Sequence, residues 1–249
     1  MSDLLDVAEA NFRELAANPY PGRGLVLGRS TDGAAWVQLY WIMGRSANSR
    51  NRVFVADGTT LRTEPFDAGA VEDPTLILYD AMLELERVYL VSNGDQTRTL
   101  RDALARGGSF EEALATRERE PDAPNYTPRI SGMLDLRGTE PGLALSLLKA
   151  NRADPARTDR ASFRPAPPPP GFGLGLTTYR GDGSPLPSFT GEPLWLPVAG
   201  SPGALLARYW EALAPANRVA LALKWIPLRG GPGALQVRNL ERRPDATRQ

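Results

Sequence analysis

The chain has 249 residues, 42% of them hydrophobic and 23% charged, and its 29 basic and 29 acidic side chains leave no net charge. Histidine and cysteine are both absent, which excludes a Ser-His-Asp triad, a cysteine nucleophile, a disulfide framework and a Cys/His zinc site. The charge balance argues against a broad nucleic-acid or anionic-membrane surface. No apolar run approaches the roughly 18 residues of a membrane span. Residues 1–17 carry acids and lack the basic-then-apolar layout of a signal peptide, so a cytoplasmic protein is expected. The length suits one domain over residues 1–249 with a substantial core.

Leu4, Leu5, Ala8, Phe12, Leu15 and Ala16 form a stripe that predicts a helix within residues 1–17. The stretch 18–24, Asn-Pro-Tyr-Pro-Gly-Arg-Gly, ends it, since proline and glycine do not continue a helix. Residues 25–28 and 35–43 read as strands joined by a turn at 30–33. Residues 52–56, 75–79 and 88–92 read as further short strands. Helices are predicted over 97–106, over 109–119 behind the capping box Ser109-Phe-Glu-Glu112, and over 141–150. The proline run 165–170 is a stiff connector. Beyond it, 173–179, 193–198 and 218–227 read as strands, 201–214 as a helix and 241–249 as a frayed polar tail. A β-rich part, then helices, then β again fits an α+β layered domain.

Four segments carry candidate chemistry. Residues 44–52 place Arg45, Arg50 and Arg52 among serine and asparagine donors directly after an apolar strand. Guanidinium forks suit phosphate, and in an extended chain Arg50 and Arg52 share one side. A solvated loop with surface arginines is the alternative. In the segment 92–97, Asn93-Gly94 favours a tight turn, and Asp95, Gln96 or Thr97 caps a helix whose amides attract an anion. A turn and cap alone explain the same residues. Residues 120–129 hold three prolines with Glu120, Asp122, Asn125, Tyr126, Thr127 and Arg129 between them, a stiff loop suited to a preorganised site or to structure alone. Thr178 and Tyr179 end a strand before a hairpin at Asp182-Gly183, either lining a pocket or standing as ordinary strand hydroxyls.

Together these segments resemble the IMP cyclohydrolase family of archaea and its bacterial relatives. The matching stretches are N-P-Y-P-G-R-G (18–24), Y-W-I-M-G-R-S-A-N-S-R-N-R (40–52), S-N-G-D-Q-T (92–97), P-D-A-P-N-Y-T-P-R-I-S-G (121–132), T-T-Y (177–179) and P-L-P-S-F (185–189). The resemblance implies an α+β fold of the Ntn-hydrolase-like kind, a four-layer αββα sandwich used without autocatalytic release of an N-terminal nucleophile. It implies closure of the purine ring, converting 5-formamidoimidazole-4-carboxamide ribonucleotide to IMP with loss of water. No metal or cofactor is expected, and the partner is a small purine nucleotide.

On that reading Arg45, Asn93 or Asn125 stabilises the oxyanion, and Tyr79 or a carboxylate such as Asp122 shuttles protons. Arg50, Arg52 and Arg129 are candidates for the 5′-phosphate, with a pair to Asp122 as the alternative for Arg129. Gln96 and Thr97 read the base or carboxamide, and Thr178 and Tyr179 line the pocket. Two other functions fit the same residues: a cyclase or hydrolase of a related amide in specialised metabolism, and a non-catalytic nucleotide-binding protein. Whether the chain forms a homo-oligomer is left open.

Overall fold

The computed structural model describes residues 2–71, 77–230 and 233–241. In chain order the elements are α1 (Ser2–Ala17), β1 (Gly24–Arg29), β2 (Ala35–Met43), α2 (Ala47–Arg50), β3 (Val53–Asp57) and β4 (Thr60–Glu64). There follow β5 (Asp80–Leu85), β6 (Val88–Ser92), α3 (Gln96–Ala105), α4 (Phe110–Ala115), β7 (Arg129–Asp135), β8 (Gly142–Ala150) and β9 (Thr158–Phe163). The chain ends with β10 (Phe172–Thr177), β11 (Leu194–Pro197), α5 (Pro202–Ala212), β12 (Arg218–Pro227) and β13 (Ala234–Asn239). These strands form two antiparallel sheets, one ordered β11-β10-β1-β2-β12-β13 and the other running β3 to β9 in sequence order.

Alternation along β2 sets the layers, because successive strand side chains face opposite ways. Trp36, Tyr40 and Ile42 turn between the sheets, joining Leu25 and Leu27 against Met82, Val91, Ile130 and Leu145. Val37, Leu39, Trp41 and Met43 turn outward onto Leu15 of α1 and Leu205 and Tyr209 of α5. On the far side, Val88 and Leu90 pack against Leu100 and Leu104 of α3 and Phe110 of α4. The section is therefore helix, sheet, sheet, helix, and the class is α+β. Burying each such aliphatic side chain contributes about 1.5–3 kcal/mol. At one edge Asn239 clasps the two sheets, its amide accepting from Phe54 N at 2.8 Å and donating to Phe54 O at 3.0 Å. No helix among the described residues is long and apolar enough to cross a membrane.

The structure corrects the helix expected over 141–150: it is strand β8, buried on both faces between β7 and β9. A continuous apolar run fits a buried helix and a central strand equally well, and here pairing on both edges decides. The helical stretch in the middle of the chain is confined to 96–115, and β4, β5, β7, β9 and β13 are strands for which the pattern gave no expectation. Of the strand expected over 75–79, residues 75 and 76 lie outside the described residues, and 77–79 lead irregularly into β5. The expected tail lies outside them from residue 242 onward. The run 165–170 holds no regular element and takes the chain from β9 in one sheet to β10 in the other.

Candidate active site

A cavity of about 320 Å³ opens where the N-terminal end of β1, the C-terminal ends of β2 and β10 and the loop after α4 meet. That is near the lower end of the roughly 300–1,000 Å³ usual for ligand cavities. Its walls are Tyr20, Arg23, Arg45, Ser46, Asn48, Ser49, Arg52, Ile77, Glu120, Asp122, Asn125, Thr127, Tyr179 and Leu186.

The loop before β1 is tied across to the end of β10. Arg23 N donates to Thr178 Oγ1 at 3.1 Å, Thr178 N to Arg23 O at 2.8 Å and Tyr179 N to Pro21 O at 3.2 Å. Gly22 has φ +72° there, and a Cβ would stand 2.2 Å from Thr178 Oγ1 and 2.5 Å from the Tyr179 ring. Only glycine allows that approach. The result stacks Tyr20 on Tyr179, ring centroids 5.9 Å apart, and sends the Arg23 side chain to the floor of the cavity.

The floor concentrates charge. Arg52 is 1% exposed, and its Nε donates to Ser49 O at 2.9 Å while Nη1 and Nη2 have no partner among the described residues. Arg23 Nη2 lies 4.0 Å from Oε2 of Glu120, and Arg23 Nε is unpartnered. Burial pushes the Arg52 pKa down, and the nearby Arg23 cation adds to this. Burial also opposes the Arg23 charge, but Glu120 and the surrounding tyrosines outweigh it and hold that pKa above the ordinary value. Glu120 is itself buried, which raises its pKa against the pull of Arg23 and Arg129. Buried guanidinium N–H groups without partners are donors held ready for an anion.

Asp122 is differently placed. It accepts from Thr127 N at 2.6 Å and from Thr127 Oγ1, and Thr127 Oγ1 lies 2.6 Å from the Tyr179 hydroxyl. Threonine has one hydroxyl proton, so the order of donation is Tyr179 to Thr127 to Asp122. Asp122 thereby closes the loop and fixes Tyr179. Burial raises the Tyr179 pKa although Arg23 pulls it down. Asn125 Oδ1 accepts from Leu186 N at 3.0 Å, which holds the two loops at the mouth together. Arg45 sits over the Tyr20 ring at 4.9 Å and pairs with Asp182.

Of the residues singled out from sequence, the cavity thus gathers Arg45, Arg52, Asp122, Asn125 and Tyr179. Thr178 is fully buried and spends its hydroxyl on the Arg23 loop, donating to Pro21 O at 3.4 Å. Tyr79 lines the neighbouring groove beside β4 and α3, and its hydroxyl turns inward to Tyr40 at 2.7 Å. The others are committed elsewhere. Asn93 donates to Pro128 O at 2.8 Å and accepts from Ile130 N and Gln96 Nε2 at 2.8 and 3.0 Å. Gln96 Oε1 receives Arg129 Nη1 at 2.7 Å, and Thr97 Oγ1 donates to Gly94 O at 2.9 Å. Arg129 pairs with Asp95 at 2.8 Å rather than with Asp122, and its Nε bonds Glu118 O at 2.9 Å. Asp95 stands at the N-cap of α3 without a side-chain cap bond.

The expectation that Arg50 and Arg52 share a side is also corrected. Arg50 ends the short helix α2, and its guanidinium bonds Ala216 O and Gly44 O, whereas Arg52 turns into the cavity. The capping box of Ser46 and Ser49 makes that turn helical instead of extended. From sequence, Glu120 and Thr127 stand in the stiff candidate loop without an assigned role, and Arg23 and Tyr20 are given none either. The available signal was the position of Arg23, a lone charge between a Pro/Gly loop and an apolar strand.

Fold and site define a class: an antiparallel two-sheet α+β protein with an arginine-floored, partly closed cavity at the strand ends. The family model described as IMP cyclohydrolase-like protein matches residues 20–226, from the cavity rim to β12. The chain belongs to that family. No curated protein matches the sequence.

Proposed function

We propose that this protein is an IMP cyclohydrolase, closing the ring of 5-formamidoimidazole-4-carboxamide ribonucleotide to IMP with loss of water. The observation that supports this reading most is the floor itself: two guanidiniums, Arg52 buried and Arg23 nearly so, with N–H groups unpartnered among the described residues, beside one buried carboxyl. The carboxamide nitrogen adds to the formyl carbon, the carbonyl electron pair moves to oxygen, and Arg23 and Arg52 hold the oxyanion. Glu120 passes the two nitrogen protons in turn to that oxygen, which leaves as water as the ring C=N bond forms. A carboxyl whose pKa is raised toward neutrality suits both transfers. Holding both arms of the substrate in one conformer supplies much of the remaining acceleration. The layering fits an Ntn-hydrolase-like sandwich, in which α1 and the Tyr20 loop precede β1. We read the protein as cytoplasmic and its reaction as a step of purine synthesis.

The 5′-phosphate falls to the mouth, to Arg45 with Ser46, Asn48 and Ser49. The Arg45–Asp182 pair is exposed, worth about 1 kcal/mol at most, and is readily exchanged for phosphate. Arg45→Ala is expected to weaken IMP binding about tenfold or more, the scale of one charge-assisted hydrogen bond. Arg50→Ala should change it by less than about twofold, because Arg50 does not line the cavity and bonds the backbone oxygens of Gly44 and Ala216. Titration calorimetry with IMP measures both. Equal losses would return Arg50 to the phosphate.

The activity itself is tested by mixing pure protein with the formamido ribonucleotide and following IMP absorbance. Steady turnover is expected. Tight IMP binding without turnover would assign the chain to the non-catalytic alternative, and neither turnover nor binding would dismiss both.

A further inference from the structure

The core between the sheets is not wholly apolar. On β2 the side chains of Trp36, Gln38 and Tyr40 share the face turned to the second sheet, as alternation requires. Gln38 is fully buried, and among the described residues neither its amide oxygen nor its amide nitrogen has a partner. Trp36 Nε1, one strand repeat away, has none either. Across the ladder the register partner of Gln38 is Lys224 of β12, also fully buried. Its Nζ donates to Thr59 O and to Glu84 Oε2, each at 2.7 Å, and Glu84 reaches solvent with its side chain 26% exposed.

At the other end of this row, the Tyr40 hydroxyl meets that of Tyr79 at 2.7 Å, near enough to Arg23 and Arg52 to feel both charges. Tyr79, Tyr40, Gln38, Lys224 and Glu84 therefore form a polar row through a core otherwise built of aliphatic and aromatic side chains. Same-face neighbours on a strand stand about 6.7 Å apart, a gap that one water bridges and a direct hydrogen bond does not. Buried amides and indoles in folded proteins find partners in protein or in ordered water. A site with several unspent donors and acceptors is where buried water is held.

We infer that Gln38 and Trp36 bind ordered water, and that this row is a hydrated path joining the cavity floor to the surface beside Glu84. The assignment stands whichever reaction the cavity performs. It gives a floor enclosed by Tyr20, Tyr179 and Leu186 a second connection to solvent, through the opposite side of the sandwich.

Two measurements on the full chain test it. A crystal structure at atomic resolution should show water within hydrogen-bond reach of the Gln38 amide and Trp36 Nε1. By nuclear magnetic resonance, the Trp36 indole proton should exchange with solvent faster than the backbone amides of β2, which report global opening. Gln38→Met keeps the side-chain volume and removes both polar atoms. It should lose the water at residue 38 and slow indole exchange about tenfold, toward the rate of the strand amides. If that variant does not fold, the wild-type density and exchange rate decide alone. Absence of water at Gln38, or its amide bonded to a protein atom instead, overturns the site. Water present with an indole as protected as the β2 amides overturns the path.

Discussion

Replacing Arg52 with methionine is expected to cut turnover of the formamido ribonucleotide by about 10²- to 10³-fold, the usual loss for one oxyanion donor. The same change should leave the fold at least as stable as before. Arg52 is 1% exposed, has one hydrogen bond from Nε, and presents two Nη groups with no partner among the described residues. Its charge is disfavoured first by burial and then by Arg23. Since an arginine in the unfolded chain is charged at every accessible pH, that cost is present throughout. Replacing buried ionic groups by well-packed apolar side chains is often neutral or stabilising when no partner is left uncompensated, and here Glu120 keeps Arg23 beside it. Urea midpoints and steady-state rates on one preparation measure both halves. A lowered midpoint with unchanged turnover would make Arg52 a structural strut and remove it from the chemistry.

Glu120→Gln should lower turnover by about 10²- to 10⁴-fold, the range for loss of a general acid–base group, with little change in IMP affinity. Asp122→Asn should act otherwise. Its oxygens are engaged by Thr127 N and Oγ1, so that change loosens the loop, and its effect should appear in stability and in binding. A pH series adds an independent reading. Burial raises the Glu120 pKa above the ordinary 4.5, so over that window the folded chain keeps a proton that the unfolded chain has lost. Stability therefore falls as pH rises between the two values, and above the folded value the contribution is gone. Relative to Glu120→Gln, the wild type should lose urea resistance progressively above pH 4.5. Parallel stability curves for the two proteins would show that Glu120 does not hold its proton, and would take the proton transfers from it.

The legible parts of the fold were those where one physical signal dominates. β2 and β12 begin and end where the sequence pattern placed them, because long apolar runs lie between turn residues. α4 starts at its capping box. β8 was misread because Gly142–Ala150 is buried on both faces, which erases the alternation that separates strand from helix. β9 and β13 are short edge strands in which exposed and partly buried residues mix, so no long apolar run marks them.

In the site, segments rich in polar side chains were found, but their division of labour was not. Asn93, Gln96 and Arg129 have the same chemistry as ligand-binding groups, and here they satisfy buried backbone and one another. The pairing of Arg23 with Glu120 depends on two sheets meeting, which no local pattern records. The family resemblance includes Arg23 in its stretch 18–24 but starts its nearest stretch at Pro121, one residue past Glu120, whereas the family match over 20–226 includes both positions.

The strand order has a kinetic consequence. The second sheet is a meander, each strand pairing with its neighbour in sequence, whereas the first joins β1 to β10 and β2 to β12 across the whole inserted meander. Loop closure must precede those distant pairings, and contacts far apart in sequence form slowly. The meander should therefore gain amide protection first in a pulse-labelling refolding experiment, with β1 and β12 following. Arg23, which directly precedes β1 of the first sheet, would then be brought to Arg52 and Glu120, which belong to the inserted segment, only in the last phase of refolding.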